Sequence, residues 1–197
     1  MSKSESISRG ICLIAGPLLM AISTFFWQND GRYSPAGGTF VALSTLFWII
    51  GWIALFEMAK TKMPRYAAWG LLVAIFGCIS GSNFGFADFY SYVFKIPHEV
   101  YLQRLAEYPI SSNILLFQSG PLFPLSLLVL GFVFMKIRVV PLWVSILICA
   151  GAILFPLSRI SRIPNLAHAS DLLMLLPMVF IGWNYLKGNL STAKITR

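Results

Sequence analysis

Four side chains with acid–base or anion-binding groups lie close together in an otherwise apolar part of the chain. They are Arg159, Arg162, His168 and Asp171, all within the stretch 155–171. His168 and Asp171 are three residues apart, so on a helix they share a face and can form a hydrogen bond. A carboxylate that orients an imidazole fixes its tautomer and raises its basicity, as in nucleophile–base pairs and around metals. The spacing therefore predicts a catalytic, proton-handling role for His168 and Asp171.

The two arginines, Arg159 and Arg162, are also three residues apart. Guanidinium groups hold phosphate or carboxylate groups through paired hydrogen bonds, so the two arginines predict contacts to an anion. Two structural interpretations stay open beside this one. The arginines are equally suited to anchoring on lipid phosphates. Asp171 is equally suited to an ion pair with either arginine, which would fasten the turn before the last span.

The segment from Ser161 to Asp171 resembles the third signature motif of the type 2 phosphatidic-acid phosphatases. It reads Ser161-Arg162, five residues, then His168, with Asp171 following. The resemblance implies a six-helix membrane enzyme in which the histidine is the phosphorylated nucleophile and the arginine holds phosphate. The chain departs from that pattern: its aspartate is one position nearer the histidine, the first motif has no counterpart, and Pro121 replaces the second motif's acid–base histidine. The resemblance covers about a dozen residues, and a single short motif does not assign a family.

The chain around these residues has the composition of a membrane protein. Of its 197 residues 57% are hydrophobic and 11% are charged, whereas a soluble domain carries about 25% charged residues. Six stretches are long and apolar enough to cross a bilayer. We predict an all-α polytopic membrane protein with one domain, 1–197, and six transmembrane helices with both termini cytoplasmic, at 10–28, 39–56, 66–87, 111–135, 139–157 and 166–186.

The distribution of charges predicts that orientation. With the amino terminus inside, the inner segments hold ten basic and two acidic residues, a net charge of +8, while the outer segments hold five of each and net zero. Short cytoplasmic loops carry such an excess of lysine and arginine. The predicted location is therefore the inner or plasma membrane, with the lipid bilayer as partner. No segment combines enough basic and aromatic residues to hold a nucleic-acid backbone, so no nucleic-acid partner is expected.

The unusual polar residues fall in outer halves of the spans or in outer loops. Besides 155–171 they include Asn83 and Asp88 of the third span, with Asp88 closing that helix, and Gln118 of the fourth. Polar groups at such depth are costly and often functional. We therefore predict an outward-facing pocket between the third, fourth and sixth spans and the loop that joins the fifth span to the sixth. Its predicted substrate-binding residues are Arg159, Arg162, Asn165, Gln118, Asn83 and Asp88.

Two packing features accompany this pocket. Gly77, Gly81 and Gly85 are four residues apart, and glycines at that spacing let a second helix approach closely. Pro121 and Pro124 predict a bend in the fourth span. The polar and apolar residues of 98–108 alternate at roughly helical spacing, which predicts a short helix in the outer interface that covers either a cavity or only the helix ends.

These observations leave two classes of function. The first is a membrane protein whose outward-facing pocket binds a small anionic or lipid-like molecule, one form of which is a membrane-embedded lipid-modifying enzyme. The alternative is a non-catalytic membrane binding or transport subunit. His98 and His168 share no typical metal-ligand spacing with the nearby acids, so no metal site is predicted, and no cofactor or oligomeric state is assigned. An enzyme predicts that His168→Ala abolishes turnover while folding persists.

Overall fold

The computed structural model describes residues 2–28 and 32–189, and in those residues it contains helices and no strand. The helices are α1 (Lys3–Thr24), α2 (Pro35–Lys60), α3 (Pro64–Val93), α4 (His98–Ala106), α5 (Pro109–Ser112), α6 (Leu122–Ile137), α7 (Leu142–Ser161) and α8 (Pro164–Leu186). A π-helical turn, Asn113–Phe117, follows α5.

Six helical spans within the described residues are long and apolar enough to cross a membrane. Five are the single helices α1, α2, α3, α7 and α8, and the sixth runs from α5 through the π-helical turn to α6. This confirms the predicted all-helical class and the number of spans, and it is consistent with a multi-pass membrane protein. The orientation of the termini stays a prediction.

The helices begin at recognisable sequence signals. Ser2 caps α1, because its hydroxyl accepts the Glu5 N–H while the Glu5 carboxylate accepts the Ser2 N–H. This capping box starts α1 seven residues before the predicted span. Ser34 caps α2 in the same way by accepting the Gly37 N–H. Proline occupies the first turn of four helices, where its missing N–H costs nothing, at Pro35, Pro64, Pro109 and Pro164.

The six spans form a closed ring. Going round it, α1 packs against α2, α2 against α3, α3 against α6, α6 against α7, α7 against α8, and α8 against α1. Aromatic side chains fill the interior: the Phe123 ring meets the Trp48 and Trp52 rings edge-on, at centroid distances of 5.1 and 5.8 Å. The centre of the ring is therefore a packed apolar core.

Glycines set the closest helix contacts, as their spacing predicts. A Cβ on Gly77 would lie 2.5 Å from the Phe123 nitrogen, so α3 touches the backbone at the start of α6. Gly38 and Gly85 form a second contact, because a Cβ on Gly38 would lie 2.5 Å from the Gly85 carbonyl oxygen. Both positions exclude any larger residue without backbone movement.

Two local predictions need refinement. Asp88 does not close its helix, because α3 continues to Val93; its carboxylate accepts a backbone N–H from the α1–α2 connection instead of capping the helix end. The fourth span, for which Pro121 and Pro124 predict a bend, contains an interruption of its α-helix at this place. The interruption consists of the π-helical turn and residues 118–121, just before α6 begins. The short helix predicted within 98–108 is α4, and its position in the membrane interface stays a prediction.

The short connections divide the bundle into two ends. We call the end with the α1–α2, α3–α6 and α7–α8 connections the loop end, and the other the terminal end. At the terminal end the Ser6 hydroxyl donates to the Tyr185 carbonyl oxygen at 2.7 Å, which joins the first turn of α1 to the last turn of α8. The predicted functional residues lie in the half of the bundle nearer the loop end.

Candidate functional site

A buried ion pair joins three helices at the loop end. The Arg159 Nη2 of α7 donates to Asp171 Oδ1 of α8 at 2.8 Å, and the Thr24 hydroxyl of α1 donates to Asp171 Oδ2 at 2.6 Å. Asp171 is 1% exposed, while the Arg159 side chain is 15% exposed. Both carboxylate oxygens therefore have charged or hydroxyl donors, as a buried carboxylate requires.

Aromatic rings complete the surroundings of this arginine. The Arg159 guanidinium carbon lies 5.0 Å from the centroid of the Trp27 ring and 4.7 Å from that of Phe155. These are cation–π distances. The pair is neutral as a whole and is covered by aromatic groups, which is the arrangement of a structural clamp between α1, α7 and α8. It corresponds to the ion-pair interpretation left open by the sequence.

His168 lies one turn from Asp171 but is not bonded to it in the described structure. Its ring packs on Phe25, with a centroid distance of 4.3 Å. The hydrogen bonds of Asp171 come from Thr24 and Arg159, because a guanidinium on a neighbouring helix is a stronger partner for a buried carboxylate than a neutral imidazole. The predicted His168–Asp171 pair is therefore not formed in this structure, and a catalytic role for either residue stays a prediction.

A polar cleft of about 440 Å³ lies beside the end of α3. Asp88 lies on its wall, where its Oδ2 accepts the Tyr33 N–H at 3.0 Å. This bond connects α3 with the segment between α1 and α2. The polar residues that line the cleft are Gln28, Arg32, Tyr33, Asp88, Ser91, Tyr92 and Lys95.

Positive charge predominates at this cleft. Among the described residues that line it are two cations, Arg32 and Lys95, and one carboxylate, that of Asp88. Arg162 lies within electrostatic reach of Asp88 and adds to the positive potential. In α4, burial raises the pKa of the Tyr101 phenol above its ordinary value, and the negative charge of Asp88 raises it further. Tyr101 is therefore a neutral hydrogen-bonding group near the cleft.

Lys95 adopts a backbone conformation that usually belongs to glycine. Its φ is 53°, in the left-handed region, and it follows directly on the end of α3. A residue with a side chain costs about 1 kcal/mol or more in this region. Glycine is the usual residue where a helix ends in this way. Arg138 and Arg162 adopt the same conformation at the ends of α6 and α7, so Lys95 is one of three cations held in this way at a helix end.

The cleft and the ion pair are linked through two aromatic residues. The Trp27 ring, which covers Arg159, also meets the Tyr33 ring edge-on at 5.9 Å. Tyr33 in turn donates its N–H to Asp88. The clamp at Arg159 therefore supports the α1–α2 segment that forms one wall of the cleft.

The other predicted residues are distributed over separate parts of the ring. Asn83 donates from Nδ2 to the Leu115 carbonyl oxygen at 3.0 Å, in the π-helical turn. Gln118 is exposed in the interruption before α6, and Asn165 is exposed in the first turn of α8. Arg162 is exposed and ends α7 with a φ of 57°. Of the six predicted substrate-binding residues, Asp88 is the one that lines the cleft described above, and the pocket between the third, fourth and sixth spans stays a prediction.

Several residues of this site have no clear signal in the sequence. Arg32 and Lys95 are ordinary loop charges until the fold brings them to the same cleft. Thr24 is a common residue in apolar helices, and its bond to Asp171 spans 147 positions of the chain. Tyr33 acts through its backbone N–H, a group that residue type does not reveal.

The described residues contain no group of three or more His, Cys, Asp or Glu side chains placed to hold a metal ion. Cys12, Cys78 and Cys149 are buried and unpaired with one another. Comparisons of the chain with protein-family models, with curated proteins and with solved structures find no match. The geometry of the cleft and of the clamp is therefore the basis for the function proposed below.

Proposed function

We propose that this protein is a multi-pass membrane protein that binds a small anionic group, a phosphate or carboxylate, in the cleft at the end of α3. The observation that carries the proposal is the position of Arg32 and Lys95 on the walls of one cleft, whose described lining contains one carboxylate, that of Asp88. Cations around a concave site concentrate anions and bind phosphate or carboxylate oxygens.

The volume and the polar lining of the cleft suit a small ligand. Its volume of about 440 Å³ falls within the range of roughly 300–1,000 Å³ that is usual for small-molecule sites. Tyr33 and Ser91 on its walls add hydroxyl groups that can orient a bound anion. The Arg159–Asp171 clamp supports the wall through Trp27, so its role in this proposal is to position the site.

Binding rather than catalysis is proposed because of the position of His168. Its ring packs on Phe25, and it does not line the cleft. The nucleophile that the phosphatase resemblance implies is therefore separate from the cations that would hold an anion. We further propose that the loop end faces outward, because the net positive charge of the sequence lies at the terminal end.

The test is binding of glycerophosphoglycerol, a soluble phosphodiester, to the purified protein in detergent. Lys95→Gln and Arg32→Gln should each weaken binding at least tenfold, because each removes one of the two cations from the cleft walls. Arg104→Gln is the matched control: Arg104 is an exposed cation of α4, bonded to Glu107 at 2.9 Å, and it does not line the cleft.

Binding that is equal in all three variants and in the unaltered protein would contradict the proposal, as would the absence of any binding to the unaltered protein. Glutamine at position 95 keeps a polar, unbranched side chain and the left-handed backbone conformation, so the main change is the loss of the charge. Unfolding temperatures of the variants should agree with that of the unaltered protein.

A further inference from the structure

An apolar groove of about 280 Å³ lies between α2 and α3, on the outer surface of the helix ring. Its sides are formed by Ala42, Leu43 and Leu46 of α2 and by Phe86, Phe89 and Tyr90 of α3. The groove begins beside Gly38 and Gly85, where the two helix backbones are in contact. It lies within two membrane spans, so the molecules that surround it are the acyl chains of the bilayer.

The groove is open to those surroundings. Leu46, Tyr90 and Phe86 are 59%, 51% and 48% exposed. Exposed apolar side chains are ordinary on a lipid-facing surface, but a concave surface between two helices offers a chain more contacts than a flat one. Such contacts are individually weak and add up along a bound chain.

A series of stacked aromatic rings leads from this groove to the end of α3. Phe86 stacks on Tyr90 at 6.3 Å, and Tyr90 stacks on Phe94 at 6.1 Å, one turn of α3 further at each step. Phe94 is followed directly by Lys95, whose side chain lines the cleft. The apolar groove and the cationic cleft therefore both lie toward the end of α3, where a helix that spans a bilayer reaches the headgroups.

We infer that the ligand of the cleft is a membrane lipid with an anionic headgroup, whose headgroup lies between Arg32 and Lys95 and one of whose acyl chains lies in the α2–α3 groove. This inference rests on the proposed function and names the class of ligand. Exchange of a chain between bilayer and groove gives no hydrophobic gain, because both are apolar. The headgroup supplies the attraction, and the groove supplies shape contacts that a soluble headgroup cannot make.

The test compares two probes with the same headgroup: short-chain phosphatidylglycerol and its chain-free counterpart, glycerophosphoglycerol. Leu43→Trp places a large side chain in the groove at a position that is 44% exposed. Phe86→Ala removes part of the groove wall and of the aromatic series. Leu172→Trp is the matched control, since Leu172 is an exposed leucine of α8, 53% exposed and distant from the groove.

Leu43→Trp and Phe86→Ala should weaken binding of phosphatidylglycerol about three- to tenfold and leave binding of glycerophosphoglycerol unchanged, while Leu172→Trp changes neither. If both groove variants bind both probes as the unaltered protein does, the lipid inference is overturned and the proposed anion site stands. If the unaltered protein binds neither probe, the proposed function itself is overturned, and the inference with it.

Discussion

The Arg159–Asp171 ion pair can be tested by a double-mutant cycle. Removing one partner of a buried ion pair costs about 3–5 kcal/mol, because the other charge stays buried without compensation. For Asp171→Asn we expect about 3 kcal/mol, the lower part of that range, because Arg159 is 15% exposed and keeps its cation–π contacts with Trp27 and Phe155, worth about 0.5–1 kcal/mol each. Arg159→Met should cost a similar amount, since it leaves Asp171 with Thr24 alone.

The double variant Arg159→Met/Asp171→Asn should cost much less than the sum of the two single changes. It has no unpaired charge, and neutral replacement of a buried ion pair is often close to neutral for stability. If the double variant costs at most about 2 kcal/mol while each single change costs about 3 kcal/mol, the coupling free energy between the two positions is at least about 4 kcal/mol. The free energy of unfolding is measured in mixed micelles by tryptophan fluorescence, which the six tryptophans of the chain provide.

An exposed ion pair serves as the control for this cycle. Arg104 and Glu107 are bonded at 2.9 Å, but their side chains are 73% and 46% exposed. Exposed pairs contribute between zero and about 1 kcal/mol, so the same cycle there should give a coupling below about 0.5 kcal/mol. Additive costs at Arg159 and Asp171, within about 0.5 kcal/mol, would refute the conclusion that these two residues form a clamp.

Three further predictions concern packing, strain and the histidine. Gly77→Ala should lower the free energy of unfolding by about 2 kcal/mol, because the new Cβ would lie 2.5 Å from a backbone atom of α6. The control Gly51→Ala should be neutral or stabilising, because the nearest atom to its Cβ is a Leu13 methyl carbon at 3.4 Å. Equal effects of the two changes on the free energy of unfolding would contradict the predicted backbone contact at Gly77. Lys95→Gly and Arg138→Gly should each raise the unfolding free energy by up to about 1 kcal/mol, since both residues have a φ of 53°, but only Lys95→Gly should weaken glycerophosphoglycerol binding. His168→Ala should leave that binding within about twofold of the unaltered protein, and a larger loss would assign the histidine to the site.

Hydropathy and turn residues were sufficient to predict the spans, because a bilayer requires long apolar helices with few charges. They were also sufficient for the close contact at Gly77, which follows from residue size. The order of the helices round the ring could not be predicted, since each apolar helix can pack against any other. For that reason the neighbours of α8 in the ring, α1 and α7, could not be predicted, and the pocket between the third, fourth and sixth spans stays a prediction.

In the candidate site, too, some residues could be predicted from the sequence and others could not. The unusual charges of Arg159, Asp171 and Asp88 could be selected from sequence, because lipid excludes such groups unless they have partners. Their partners could not be selected. Thr24 and the Tyr33 N–H are ordinary groups that become important only through contacts between distant segments. The competition between Arg159 and His168 for Asp171 was also undecided, because it depends on how α7 packs against α8.

The central claim is that an anionic headgroup lies between Arg32 and Lys95. A structure determined by electron cryo-microscopy in nanodiscs that contain phosphatidylglycerol would test it. We expect a phosphate group within about 4 Å of the Lys95 Nζ, with density for an acyl chain continuing into the α2–α3 groove. Lipid headgroups ordered elsewhere on the protein, with none in the cleft, would contradict it.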